Sequence, residues 1–215
     1  MLINFFGKRG SGKTFTIKGQ LDDENLRGPI VIIDILGNFD DPTYIHTNEI
    51  SDAIVQVEHY FKLKSENKNP ERIICLKPTD PDLAIDYLSA TLYEAKGGGT
   101  LILDECDGFS FANAPCFDQV IRYGRNWNID IITGCRRPAE ISRNITAGAN
   151  SMYIFQTQEP RDVEYFKSTI LGERAEKLLT LPKYSGIYVD YDVNEVGLFH
   201  VDKQGHIFKD SKEAL

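Results

Sequence analysis

The 215-residue sequence contains no apolar run approaching the roughly 18 residues needed to cross a bilayer. No cleavable leader is visible either, so the expectation is a chain with no direct membrane insertion. Cysteine is sparse. Cys75, Cys106, Cys116 and Cys135 lie far apart without Cys-x-x-Cys spacing, which argues against a thiolate metal site and for reduced thiols. Positive charge is also short: 24 Lys and Arg against 32 Asp and Glu leave a net charge of −8. That argues against a free-standing nucleic-acid binder with a broad basic face, though not against DNA contact by a few loops arranged in a ring. Internal repeats and low-complexity tracts are absent. Apolar and charged residues, at 41% and 26%, are ordinary for a chain that buries a full core.

One short stretch stands out against this plain background. Residues 7–14 read Gly-Lys-Arg-Gly-Ser-Gly-Lys-Thr, matching the G-x-x-x-x-G-K-[ST] phosphate-binding pattern. Gly7, Gly10 and Gly12 let backbone N–H groups turn toward a phosphate with no Cβ in the way. Lys13 is placed to reach the β- and γ-phosphates, and the Thr14 hydroxyl to ligate Mg²⁺. Lys8, Arg9, Ser11 and Phe15 complete the expected cradle for ATP. The pattern needs a strand before it and a helix after it. Leu2 to Phe6 is a mostly apolar run suited to a buried strand, and Thr14 to Gln20 can continue as a helix.

A second stretch says what is done with the nucleotide. After Gly97-Gly98-Gly99, Thr100-Leu101-Ile102-Leu103 is an apolar strand that ends in Asp104-Glu105. This is the Walker B arrangement: Asp104 would hold Mg²⁺, directly or through water, and Glu105 would activate the attacking water. An acid in the Glu105 position favours hydrolysis over transfer to a small acceptor. A small-molecule kinase is the weaker reading for that reason, and because no arginine-rich lid is evident. A guanine-reading Asn-Lys-x-Asp motif, which would support a GTPase switch, is missing.

Strand and helix signals alternate along the chain. Strands are expected at Pro29 to Asp34, Arg72 to Leu76, Ile129 to Thr133 and Ser151 to Phe155, and helices at Ile50 to Lys62, Asp80 to Ala95, Phe117 to Asn126 and Pro160 to Ile170. The alternation predicts an α/β fold with a mainly parallel sheet and helices on both faces, over residues 1–170. Residues 171–215 change to strand-like alternation at Gly186 to Asp192 and Val196 to Val201, with a turn at 202–205 before His206-Ile207-Phe208. They are expected to form a β-rich extension on or beside the core.

From Arg122 the chain reads RYGRNWNIDIITGCRRPAEISRNITAGANSMYIF. Arg122, Gly124 and Arg125, the Arg137-Pro138 turn, and the spaced Ile141, Ile145, Asn150 and Phe155 resemble the HerA/FtsK superfamily of ring-forming DNA-pumping ATPases. With its compact size the chain looks most like the genome-packaging ATPases of tailless icosahedral viruses with internal membranes. The resemblance implies a RecA-like fold, ATP hydrolysis coupled to movement of double-stranded DNA, and a homo-oligomeric ring, a hexamer or pentamer. It also implies residence in host cytoplasm or virion and a capsid vertex as partner; a cellular or plasmid DNA-processing ATPase keeps the same chemistry. Arg122 and Arg125, three apart on the expected helix, become candidates for arginines acting on a neighbour's nucleotide. The family often carries Gln as a γ-phosphate sensor where this chain has Arg136, so that role falls to Arg136 or to Thr133. Candidate DNA contacts are Lys62, Lys64, Lys68 and Arg72, or Arg136, Arg137 and Arg143, which would grip phosphates without reading sequence. The loop from Asp107 to Pro115 leaves the acid pair directly and is expected to move with hydrolysis.

Overall fold

The computed structural model describes residues 1–21 and 25–214. Leu215, the end of the expected extension, lies outside the described residues. In chain order the first elements are β1 (Leu2–Phe6), α1 (Lys13–Gln20), β2 (Ile30–Asp34), β3 (Ile45–Thr47), α2 (Ile50–Ser65), β4 (Ile73–Leu76) and α3 (Pro81–Ala95). Next come β5 (Gly99–Asp104), α4 (Pro115–Tyr123), β6 (Ile129–Cys135), α5 (Arg143–Ala147), β7 (Ser151–Phe155) and α6 (Pro160–Phe166). Three strands close the chain: β8 (Ser185–Asp190), β9 (Glu195–Val201) and β10 (Ile207–Ala214). The class is the expected one, a mainly parallel α/β sheet with helices on both faces and antiparallel strands at the C-terminal end. Contacts divide the chain into two compact units, residues 23–133 with Met1, and residues 2–22 with 134–215.

In the first unit the strand order is β6-β5-β2-β4-β3, with every pairing parallel. The sequence explains the centre of that order. Ile30-Val31-Ile32-Ile33 and Leu101-Ile102-Leu103 are unbroken apolar runs, and β2, β5 and β6 are buried along their whole length. The edge strand β3 is three residues long and half-exposed, too short to announce itself by periodicity. Helix α3 starts where the Asp80 carboxylate accepts from the Leu83 N–H at 3.0 Å with Pro81 just inside, and lays Ala84, Ile85, Leu88 and Leu92 into the core. Helix α4 is shorter than the expected span to Asn126. It ends at Tyr123, and residues 124–127 tighten into a 3₁₀ turn closed by Asn128 at φ 57°.

In the second unit the order is β10-β9-β8-β7-β1, with β1 and β7 parallel and the other pairs antiparallel. Aromatic rings tie these strands together. Phe5 stacks on Tyr153 at 5.2 Å, and Phe199 meets Tyr153 and Phe155 edge-on at 5.3 and 5.0 Å. Burial pushes the Tyr153 phenol up to about 12, so it stays neutral. The helix expected to run from Pro160 to Ile170 ends at Phe166. A π turn (Lys167–Leu171) and a 3₁₀ run (Gly172–Leu179) follow, with Lys167 pairing both Glu173 and Glu176 at 2.9 Å.

Gly19 shows why a weak helix former sits near the end of α1. A Cβ there would come within 2.5 Å of the Gly205 carbonyl carbon, in the turn between β9 and β10. The glycine lets helix and turn touch, and this contact outweighs its poor helix propensity. On propensity alone Gly19→Ala would stabilise by about 1 kcal/mol. Because the obstacle is backbone, we expect the substitution instead to destabilise by about 1–3 kcal/mol, lowering the thermal midpoint. A raised midpoint would show that the contact carries no weight.

Candidate nucleotide site

The phosphate loop joins β1 to α1 in the second unit. Its three glycines have φ of 153°, 76° and 121°, a region that residues with a Cβ rarely adopt. The Gly7 N–H is held by the Cys135 carbonyl at 3.2 Å and the Ser11 N–H by the Lys8 carbonyl at 3.2 Å. Lys13 is 4% exposed, and its ammonium donates to the carbonyls of Gly7 at 2.8 Å and Lys8 at 3.3 Å. That holds a cation inside the hollow of the loop. The Ser11 hydroxyl is buried with no hydrogen-bond partner. Helix α1 has no acidic residue in its first turn and no side-chain cap, so the positive end of its dipole faces the loop. A buried cation, an orphaned hydroxyl and a helix N-terminus are what a phosphate would complete. Thr14 is half-buried in the first turn, while Arg9, Gly10 and Phe15 are exposed.

The acid pair belongs to the first unit. Asp104 ends β5 at 1% exposure, and Glu105 follows at 8% with φ 56°. A glutamate in the left-handed region is strained by about 1 kcal/mol or more, and such strain persists only where its surroundings enforce it. Here the Gly108 N–H donates to the Glu105 carbonyl at 2.9 Å, closing a 3₁₀ turn immediately after the strand. The turn ends the strand between Asp104 and Glu105.

Two residues beside them carried no role in the sequence. Asp34 ends β2 directly opposite Asp104 in register, 1% exposed, with one carboxylate oxygen accepting from the Phe39 N–H at 2.7 Å and the other unpartnered. Asn38 donates its amide to Asp104 Oδ2 at 3.0 Å. The only sequence sign of this was that both apolar strands close on Asp; the Asn38 contact is made by a loop and has no local signature. Two buried carboxylates side by side in register suit a hard divalent cation. No group of three or more His, Cys, Asp or Glu able to hold a metal occurs among the described residues.

The candidate arginines are all exposed. Arg122, in the last turn of α4, donates to Asp118 at 2.7 Å, and Arg125 lies in the 3₁₀ turn after the helix. Arg136 follows β6 directly, whereas Thr133 is fully buried within that strand. Arg137 donates to Glu140 at 3.0 Å. Among the basic residues of the other segment, Lys68 pairs with Glu66 at 2.5 Å, and Arg72 donates to the Leu26 carbonyl. The 107–115 loop is latched to α3: Asp82 accepts from the Ser110 and Phe111 N–H groups at 3.1 and 3.2 Å. Phe109, Phe111 and Phe117 stack in series at 5.5 Å.

This fold, with its phosphate loop, is that of the P-loop NTPases. Among solved structures the chain is similar to the genome-packaging NTPase B204 of Sulfolobus turreted icosahedral virus 2 in complex with AMPPCP. The TM-score is 0.73 at 18% identity, covering 93% of this chain and 96% of that one. B204 from Sulfolobus turreted icosahedral virus, a DNA-packaging ATPase, matches at TM-score 0.70 and 18% identity over the same shares. The plasmid coupling protein TrwB with ADP and Mg²⁺ matches at TM-score 0.61 and 10% identity, over 87% of this chain and 81% of that one. No protein-family model matches the sequence, and no curated protein does.

The Arg-Pro turn sits beside a titratable group. Asp162, buried at the start of α6, has its carboxyl raised by burial and then by Glu159, with Arg137 and the Thr157 hydroxyl opposing. A raised carboxyl holds its proton more tightly in the folded than in the unfolded chain. Its contribution to stability is therefore complete below the ordinary value of 3.8 and is lost as pH rises through the folded value. The difference in thermal midpoint, Asp162→Asn minus the natural chain, is expected to be more positive at pH 7 than at pH 4. An equal difference at both would mean the group is not perturbed.

Proposed function

We propose that this chain is an ATPase that translocates double-stranded DNA, working as a homo-oligomeric ring of the HerA/FtsK type to package a viral genome. The observation that carries the reading is the buried Lys13 ammonium in a glycine cradle, on a fold similar end to end to that of a DNA-packaging ATPase. Lys13 and the loop N–H groups bind the β- and γ-phosphates. Thr14 and Asp104 would hold Mg²⁺, Asp104 directly or through water; bound there, the ion would offset phosphate charge and orient the γ-phosphate. Glu105 takes the proton of the attacking water. Arg122 or Arg125, delivered from a neighbouring subunit, stabilises the charge that grows on the γ-phosphate, and Arg136 or Thr133 senses that phosphate. The Arg122–Asp118 pair is exposed, so exchanging it for a phosphate costs little. Residues 1–170 form the ATPase core and 171–215 the β-rich extension, with a capsid vertex as a further partner.

A plasmid or cellular DNA-processing role is the second reading, favoured by the TrwB likeness. The shares covered prefer packaging, since B204 is matched over 96% of its length and TrwB over 81%.

The test is steady-state ATP hydrolysis across protein concentration, with and without duplex DNA. Activity should rise steeply with concentration and with DNA. Glu105→Gln is expected to lose about 10²–10⁴-fold in turnover while still binding ATP. Turnover that ignores both concentration and DNA would end the motor reading. Arg122→Ala and Arg125→Ala separate the arginines: loss of about 10³–10⁵-fold in turnover with nucleotide affinity kept identifies the acting one. Normal turnover in both variants would remove the trans-arginine step.

A further inference from the structure

We infer that the C-terminal extension supplies the nucleobase platform of the ATP site, through Tyr184 paired with Phe15. This rests on the nucleotide reading above and adds where the base goes.

The phosphate loop reaches only phosphates, and the base of a nucleotide seated there lies one ribose away, beyond the start of α1. Phe15, the residue after Thr14, is 39% exposed at that place. Tyr184, 38% exposed, comes from the segment just before β8, and its ring centroid lies 5.9 Å from that of Phe15 at 57°. Tyr184 is held at φ 62°, an uncommon conformation for a bulky residue. The backbone on both sides fixes it: the Tyr184 carbonyl accepts from the Val201 N–H at 2.9 Å, and the Ser185 N–H donates to Pro182 at 3.2 Å. The ring also touches the phosphate loop itself. A Cβ on Gly12 would lie 2.7 Å from Tyr184 Cδ1, so the glycine that the motif needs for its turn is here also the seat of the tyrosine. On the other side, Gly205 approaches the Phe15 carbonyl so closely that a Cβ there would lie 2.6 Å from it. The extension thus touches this region twice, with the Tyr184 ring against Gly12 and the Gly205 backbone against that of Phe15, while the two rings meet each other.

Two exposed aromatic rings next to a phosphate anchor are the arrangement that holds a base by its face. Lys183, with Nζ 4.6 Å from the Tyr184 centroid, covers one side of that ring with a long, unbranched side chain that an arriving base can displace.

The experiment compares a ligand with a base and one without. Binding of a non-hydrolysable ATP analogue and of inorganic tripolyphosphate is measured by calorimetry for the natural chain, Tyr184→Gly and Phe15→Ala. Glycine suits the positive φ, so Tyr184→Gly removes the ring without straining the backbone; Phe15→Ala tests the platform should that variant not fold. Each variant is expected to weaken the ATP analogue about 10- to 100-fold and to change tripolyphosphate by less than about twofold, as loss of one stacking partner does. Equal weakening of both ligands would show that the rings shape the loop and do not hold a base. Unchanged affinity for the analogue would overturn the platform while leaving the ATPase reading intact. A natural chain that binds neither ligand would overturn the nucleotide reading itself, and the platform with it.

Discussion

A buried ammonium must be answered by oxygen, and Lys13 sets that condition for everything around it. Taking such a charge out of water costs several kcal/mol unless acceptors are ready. Here the Gly7 and Lys8 carbonyls provide them, which requires the loop to fold back over its own helix. That path demands positive φ at three places, and the sequence has glycine at each. The loop is in turn pinned at Gly7 to the end of β6 and at Gly12 against a ring from the extension. The cost of hiding one cation is thus met by strand, helix and tail together, and the same geometry leaves the Ser11 hydroxyl unpartnered inside the loop.

The acid side of the chemistry is built on a different rule. Asp34 and Asp104 lie deep at the ends of their strands, where loops bring in polar partners. The Phe39 N–H and the Asn38 amide are those partners. Glu105 leaves the strand through a strained turn, a local cost that persists only where the surroundings enforce it.

Much of this was legible along the chain because its signals are local. The phosphate loop, the apolar strands and the Asp104-Glu105 pair each lie within ten consecutive residues, and period and turn chemistry read such segments well. Where reading failed, the cause was also physical. Helix α4 stops at Tyr123 although its apolar spacing runs on, because Gly124 and the left-handed Asn128 close a tighter turn. Helix α6 gives way to a π turn at Lys167, whose ion pairs reach forward to Glu173 and Glu176. Strand β3 is too short to carry a pattern. Asn38 and Tyr184 serve through contacts with residues far along the chain, and periodicity holds no record of such pairs.

The sequence by itself determined the fold class, the phosphate loop and the position of the acid pair, since each follows from residue type at fixed short spacing. Tertiary structure alone decided that Asn38 steadies Asp104, that Gly19 is needed for Gly205, and that the extension leans its tyrosine on the phosphate loop. The reason is the same in all three. A close approach between distant segments depends on where two backbones arrive in space, and that is settled by packing of the whole unit, not by any window of sequence.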